Sequence, residues 1–341
     1  MIVLTGATGF LGAYVAARLI ETTDEEIVCL VRGEDPQARL DAALYPLLGE
    51  WDSSRVRAVP GDLLSDEPFE IDVDAVRTII HSAADVAFDR PLEEARAINV
   101  GGAGKMLALG RECPNLQRFV HVSTAYVGGT TVGRFGEDDM DTGQGFRNSY
   151  EQSKFEAELL VRSSGLPVRV VRPSIVVGES QSGWTSSFNV LYAPLRAFSR
   201  GLVERIPADP SAIVDVVPVD HVCDVIVAAM HSSPPTPTTL HAVAGEGAMR
   251  AGELAALASG LLGQKCPELL MNGEEPPAGL EVYAPYFTVH TRFDATAVRA
   301  LGLTPPPLAA YLPRVLTFAE DARWGKRKPA TFRHDARAAA A

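Results

Sequence analysis

IVLTGATGFLG, residues 2–12, is the stretch that decides the fold. Four apolar or β-prone residues meet a cluster in which Gly6, Gly9 and Gly12 stand three apart, and apolar residues then recur at Leu11, Val15 and Leu19. The first part has the makings of a strand, and the spacing that follows is that of a helix. A glycine-rich turn joining strand to helix is a phosphate-binding arrangement. Gly6 permits the tight turn, Gly9 lets the backbone approach a pyrophosphate, and Gly12 lets the helix lie close to the sheet. The unpaired N–H groups of the helix N-terminus then face the anion. With 29 glycines in the chain the triplet alone is weak, and its place between strand and helix is what gives it meaning.

Outward from this turn the same alternation repeats. Strands are expected at 26–31, 55–60, 76–82, 117–123 and 167–172, and helices near 36–48, 91–112 and 148–163. Strand and helix in alternation predict an α/β protein, a Rossmann-type doubly wound parallel sheet. After residue 178 the regularity fails, with a Gly/Ser/Trp-containing loop at 178–188 and a helix-like stretch near 188–200. The run 213–230 reads as one more strand and helix returning to the sheet, and SSPPTPT (232–238) as a surface turn. We therefore expect a nucleotide-binding domain of 1–178 plus 211–245. A smaller substrate-binding lobe is expected from 179–210 plus 246–325, followed by a flexible tail at 326–341.

Composition narrows the class. The 341 residues are 46% hydrophobic and 22% charged, which excludes a disordered chain. Thirty-one basic against 43 acidic side chains give a net charge of −12, which argues against nucleic acid or an anionic membrane surface as a partner. No apolar run approaches the roughly 20 residues of a membrane span. No basic leader precedes the first strand, so a cytoplasmic location is expected. Cys29, Cys113, Cys223 and Cys266 show no metal-ligand spacing, which predicts reduced thiols and no zinc site.

Three further groups carry chemistry. An acidic residue at the end of the second strand would suit the ribose hydroxyls of NAD, but this strand ends in Val31-Arg32. A guanidinium suits a 2′-phosphate, so NADPH is the expected cofactor, with Arg39 either a second contact or an ordinary surface residue. The competing reading leaves Arg32 solvated and gives the acidic role to Glu34 or Asp35. Tyr150 and Lys154 lie four apart on the expected helix and so share a face. A phenol with a pKa of about 10 is a poor acid or base at neutral pH until a neighbouring cation stabilises its anion. Ser123 and Thr124 end the preceding strand, where side chains alternate between faces, so one of them can join the pair. We choose Thr124. Asn99 sits mid-helix, where Asn is disfavoured, and is expected either to hold a water or backbone group behind Lys154 or to serve in packing.

On these residues the chain resembles the extended short-chain dehydrogenase/reductases, marked by TGxxGxxG and YxxxK. HSAADVAFDRPLEEARAINVGGAG (81–104), FVHVSTAYVGG (119–129), VRPSIVVG (171–178) and VDVVPVDHV (214–222) make it similar to one branch. That branch holds fatty acyl-CoA reductases and thioester reductase domains, and the likeness covers roughly residues 1–230. The resemblance implies a pyrophosphate loop of Gly6, Thr8, Gly9, Phe10, Leu11 and Gly12, with Arg32 at the 2′-phosphate. It implies Asp62 and Leu63 at the adenine, Ala83 and Ala84 beside the ribose, and Pro173 and Ser174 near the nicotinamide amide. Thr124, Tyr150 and Lys154 match the branch's catalytic triad. The chain shows neither an adenylation or carrier domain nor the long C-terminal domain of eukaryotic acyl-CoA reductases, so it is expected to act alone.

The expected activity is NADPH-dependent reduction of an acyl thioester, carried on coenzyme A or a carrier protein, to an aldehyde and, with a second hydride, an alcohol. The alternatives are an aldehyde or ketone reductase of the same superfamily and a non-catalytic NADP(H)-sensing module. For the acyl group the candidates are the aromatic side chains Trp184, Phe188, Tyr192, Tyr283, Tyr286 and Phe287, each of which could equally serve to pack the smaller lobe. For an acidic carrier protein we expect the basic group Arg196, Arg200 and Arg205.

Overall fold

A computed structural model describes residues 1–188, 190–201, 203–232, 238–271, 276 and 280–327. The expected turn at 232–238 lies outside the described residues except at its ends, as does the tail at 326–341 beyond its first two residues.

Seven parallel strands form the central sheet: β1 (Ile2–Thr5), β2 (Ile27–Val31), β3 (Val56–Pro60), β4 (Thr78–His81), β5 (Arg118–Val122), β6 (Val168–Pro173) and β7 (Thr239–Ala242). Their order is β7-β6-β5-β4-β1-β2-β3. The strand order reverses between β1 and β4, and in such sheets a ligand crevice opens beyond the carboxyl ends at that point. Successive side chains of a strand leave opposite faces, and both faces are covered here. Ile2 and Leu4 pack in one cluster with Val15 and Leu19 of helix α1 (Phe10–Thr22), Leu40 and Leu44 of α2 (Pro36–Leu48), and with Val222 and Ile226. Val3 points the other way, into a cluster with Phe119, Met106, Ala157 and Val161. Ile2, Val3 and Leu4 are fully buried, each stabilising the sheet by about 1.5–3 kcal/mol.

Two expectations need correction. The helix expected over 91–112 is α3 (Leu92–Arg96), a π-helical turn (Ala97–Gly101) and α4 (Gly102–Glu112) in succession. The extra residue in the turn presents Asn99 inward, where its side chain takes over backbone partners. The return to the sheet is also made differently. Ile213–Val214 pairs with Met249–Arg250 and Val216–Pro218 with Ile175–Val177, both outside the central sheet. The returning strand is β7, reached after α7 (Val219–His231).

Helices α6 (Tyr192–Ser199), α8 (Ala251–Leu262) and α10 (Leu308–Asp321), the last preceded by the short α9 (Thr296–Ala300), pack around Leu195, Phe198, Leu254, Ala258, Leu312 and Val315. That cluster also takes in Val177 and Val216 from the chain leading back to the sheet. Tyr311 of α10 fastens it by donating to the Val216 carbonyl at 3.1 Å. Among the described residues no helix is long and apolar enough to cross a membrane.

Candidate active site

The crevice at the reversal point is a cleft of about 720 Å³. Its floor is the turn between β1 and α1. Gly6 has φ +80, and a Cβ there would stand 2.8 Å from the Ala83 nitrogen; at Gly12 it would stand 2.0 Å from the Gly6 carbonyl oxygen. Only glycine lets α1 approach the loop that closely. No side chain caps α1, whose N-cap is Gly9, so its first N–H groups are left for a ligand. Thr5, at the end of β1, was not singled out from the sequence. Its hydroxyl accepts from the Ser82 and Ala83 N–H groups at 3.1 Å and meets His81 Nδ1 at 2.8 Å, which fixes the turn after β4.

All the residues expected around the cofactor line this cleft: Gly6, Thr8, Gly9, Phe10, Leu11 and Gly12, Arg32 and Arg39, Asp62 and Leu63, Ala83 and Ala84, and Pro173 and Ser174. Thr124, Tyr150 and Lys154 line it as well, along with Ser186 and Ser187, which the sequence did not reveal. Arg32 and Arg39 are exposed, and neither forms an ion pair among the described residues. Glu34 and Asp35 are absent from the lining, and Asp35 Oδ1 instead caps α2 by accepting from the Ala38 N–H at 3.0 Å. An uncapped helix N-terminus and two guanidinium groups on the lining suit the phosphates of a nicotinamide dinucleotide.

Helix α5 (Ser149–Arg162) positions the Tyr-Lys pair. Its start is fixed by Asn148, whose side chain accepts from the Glu151 N–H at 2.9 Å, and by Ser149, which donates to the Arg90 carbonyl at 2.7 Å. Tyr150 hydrogen-bonds Thr124; its ring keeps one edge on the cleft, yet burial pushes the phenol up to about 12 against the lowering effect of that bond. Lys154 is buried, and its ammonium donates to the Val122 carbonyl at 2.8 Å. Burial brings it down to about 8, with Glu158 acting in the opposite sense. Below that pH it is a cation beneath the cleft wall, and it helps burial hold His81 down to about 3.

Ser123 and Thr124 part company as strand geometry requires. Ser123 donates to Glu158 at 2.7 Å, inside a buried group where Arg172 also donates to Glu158 at 2.7 Å. Burial pushes the Glu158 carboxyl up, but Arg172 and its other donors outweigh this and leave it below the usual range. Asn99 stands apart from the cleft. Its side chain accepts from the Asp85 N–H at 2.8 Å and donates to the Asp85 carbonyl and to Ser153 at 3.1 and 2.9 Å. It ties the loop after β4 to α5 rather than backing Lys154, because the π-helical turn aims it at that loop.

Beyond Tyr150 lies a second, apolar chamber of about 120 Å³. Phe88 packs against a residue of each space: its ring centroid is 5.7 Å from that of Tyr150, on the cleft, and 6.0 Å from Tyr283 and 5.2 Å from Tyr286, on the chamber. Tyr283, Tyr286 and Phe287 line the chamber, while the other three aromatics expected there do not. Trp184 packs on Phe10 and Tyr14 behind the phosphate loop. Phe188 lies against Tyr192, whose hydroxyl accepts from the Gly178 N–H at 2.9 Å. Aromatic residues at helical spacing served packing in these three cases.

The fold and site define an extended short-chain dehydrogenase/reductase, of the NAD(P)-dependent oxidoreductase class. More narrowly, residues 4–226 match the NAD-binding family described as "Male sterility protein", and the chain belongs to that family. It is similar to the human fatty acyl-CoA reductase 1, 31% identical over 279 residues that cover 67% of this chain and 54% of that protein. It is also similar to the glycine betaine reductase ATRR of Emericella nidulans, 31% identical over 264 residues that cover 70% of this chain and 20% of that one. The chain thus spans from about a fifth to about half of these relatives. Among solved structures, the terminal R domain from the myxalamid PKS-NRPS biosynthetic pathway superposes with a TM-score of 0.80 at 26% identity, over 96% of this chain and 92% of that one.

Proposed function

We propose that the chain reduces an acyl thioester with NADPH, the acyl group being carried on coenzyme A or a carrier protein. One observation carries this reading: the Tyr150 phenol, hydrogen-bonded to Thr124, lines a dinucleotide-sized cleft, and Phe88 packs both on its ring and on the Tyr283 and Tyr286 rings of an apolar chamber. The names of the similar fatty acyl-CoA reductase and R domain support it. NADPH is favoured over NADH because Arg32 and Arg39 face the cleft while Asp35 is engaged in capping α2.

When bound, the nicotinamide supplies a hydride. Gly6, Gly9, Gly12 and the α1 N-terminus would hold the diphosphate, and Pro173 and Ser174 would border the nicotinamide. Thr124 and Tyr150 donate hydrogen bonds to the thioester oxygen as it gains charge. A phenol held near 12 is protonated at neutral pH, so Tyr150 is a proton donor to that oxygen. Lys154, charged below about 8, eases the loss of that proton and helps hold the ribose. The hemithioacetal then collapses, so that thioester, NADPH and one proton give aldehyde, thiol and NADP⁺. Asn99 is a positioning residue for the loop after β4.

The test is NADPH consumption with a panel of acyl-CoA and acyl-pantetheine thioesters beside the matching aldehydes and ketones. Turnover of the thioesters is expected. Turnover of aldehydes and ketones alone would make this a carbonyl reductase, and tight NADPH binding without turnover of any of them would make it a sensor.

A further inference from the structure

The apolar chamber has a direction. Ile175, directly after the cleft residue Ser174, donates its N–H to the Asp215 carbonyl at 3.2 Å, and the Ala251 N–H reaches the Ala212 carbonyl at 2.8 Å. These bonds set the start of α8 beside the segment that adjoins the cleft. The far end of α8 is held elsewhere, since the Gln264 side chain donates to the Ser199 carbonyl at the end of α6 at 3.3 Å. The chamber wall therefore runs along α8 from Ala251, past Leu254 and Ala255, to Ala258, with Phe198 of α6 in the same cluster as Leu254 and Ala258.

From Ala251 to Ala258 the helix rises about 10 Å, the span of an extended alkyl chain of about eight carbons. Among the described residues the lining carries no Asp, Glu, Lys, Arg or His, and the Tyr286 hydroxyl is already engaged, accepting from the Asn148 side chain at 2.9 Å. A charged or strongly polar acyl group would lose its water there without finding a partner. Tyr126 and Tyr286, ring centroids 5.1 Å apart, pack edge to face on the lining near Phe88.

We infer that the chamber takes an uncharged alkyl chain of about eight carbons or fewer, and that Ala258 and Phe198 set its limit. This rests on the thioester reading given above and deepens it. The alanine face of α8 admits the chain along its length, and Phe198 closes the end where α8 and α6 meet. Enlarging Ala258 shortens the space, and trimming Phe198 extends it. The two changes act in opposite directions, so a general loss of packing cannot imitate both.

The experiment separates binding from turnover. Alkyl pantetheine thioethers of two to sixteen carbons, which no reductase can consume, are titrated into the NADPH-loaded protein by calorimetry. Affinity is expected to rise with length to about eight carbons and then fall. Ala258→Phe should move that maximum shorter and Phe198→Ala longer, each changing the affinity ratio of ten-carbon to four-carbon ligands by about tenfold or more. Thermal melting identifies any variant that fails to fold, and the other variant then decides. An unmoved maximum in a folded variant, or no dependence on length in the parent protein, overturns the inference. Length-dependent binding without thioester turnover would overturn the thioester reading and leave the chamber's specificity standing.

Discussion

Removing the Arg32 guanidinium should change which nicotinamide cofactor the protein prefers more than how well it folds. Arg32 is exposed at the end of β2 and lines the cleft; no carboxylate pairs with it among the described residues, so its truncation leaves no buried charge behind. A hydrogen bond to a charged group contributes about 1.5–3 kcal/mol, which corresponds to a loss of about 10- to 150-fold in affinity. Arg39 stands at the same end. Its side chain folds over Gly33, whose φ is +102, and its Nη1 lies 2.9 Å from where a Cβ on that glycine would be. With one arginine left, the single Arg32→Ala change should fall toward the lower end of the range, and Arg32→Ala with Arg39→Ala should reach the upper end or beyond. Equilibrium titration of each variant with NADPH and NADH, followed by quenching of protein fluorescence, measures both constants. NADPH affinity should fall while NADH affinity stays within about twofold. Equal loss for the two cofactors would refute the reasoning, because it would mean that the arginines support the loop rather than a 2′-phosphate.

Tyr150→Phe should lower kcat by about 10²- to 10⁴-fold while leaving the NADPH dissociation constant nearly unchanged, since only the proton donor is lost. The free enzyme's kcat/KM should fall as pH rises through about 8, where Lys154 loses its proton, and a flat profile up to pH 10 would remove the lysine charge from the mechanism. Gly12→Ala places a Cβ 2.0 Å from the Gly6 carbonyl, so it should cost about 1–3 kcal/mol or more in denaturant unfolding and weaken both cofactors together. Arg196 and Arg200 are exposed around the end of α6. Reversing both charges should slow turnover of carrier-protein thioesters and leave acyl-pantetheine turnover as it was, and equal rates on the carrier would favour free acyl-CoA as donor.

What the sequence made legible was what local spacing encodes. Strand followed by glycine turn and helix is written in consecutive residues, as is the i, i+4 relation of Tyr150 and Lys154, and both arise from backbone periodicity alone. Strand alternation said only that one of Ser123 and Thr124 could join the pair, the resemblance pointed to Thr124, and Glu158 shows where the other hydroxyl goes. The π-helical turn was not legible, because shifting one backbone hydrogen bond leaves the apolar pattern of 91–112 almost intact. Asn99 carried the signal, as a polar residue ill suited to a helix, but its partner Asp85 is a backbone group with no sequence mark. Strand β7 was missed because the run before α7 looks more strand-like than Thr239–Ala242. Only pairing decides between them, and Val216–Pro218 pairs with Ile175–Val177. For Trp184 the packing alternative is the one the structure shows: composition marks the residue as apolar but does not say that Phe10 and Tyr14 are its neighbours.

Thioester reduction itself is the central claim, and the release of thiol tests it most directly. With NADPH limiting and an eight-carbon acyl-CoA in excess, free coenzyme A is measured by a thiol reagent while NADPH oxidation is followed in the same cuvette. The account predicts one thiol for each NADPH consumed if the aldehyde is the product, or one for every two if reduction continues to the alcohol, with both signals lost in Tyr150→Phe. NADPH oxidation without any thiol, or supported only by added aldehydes and ketones, would contradict it.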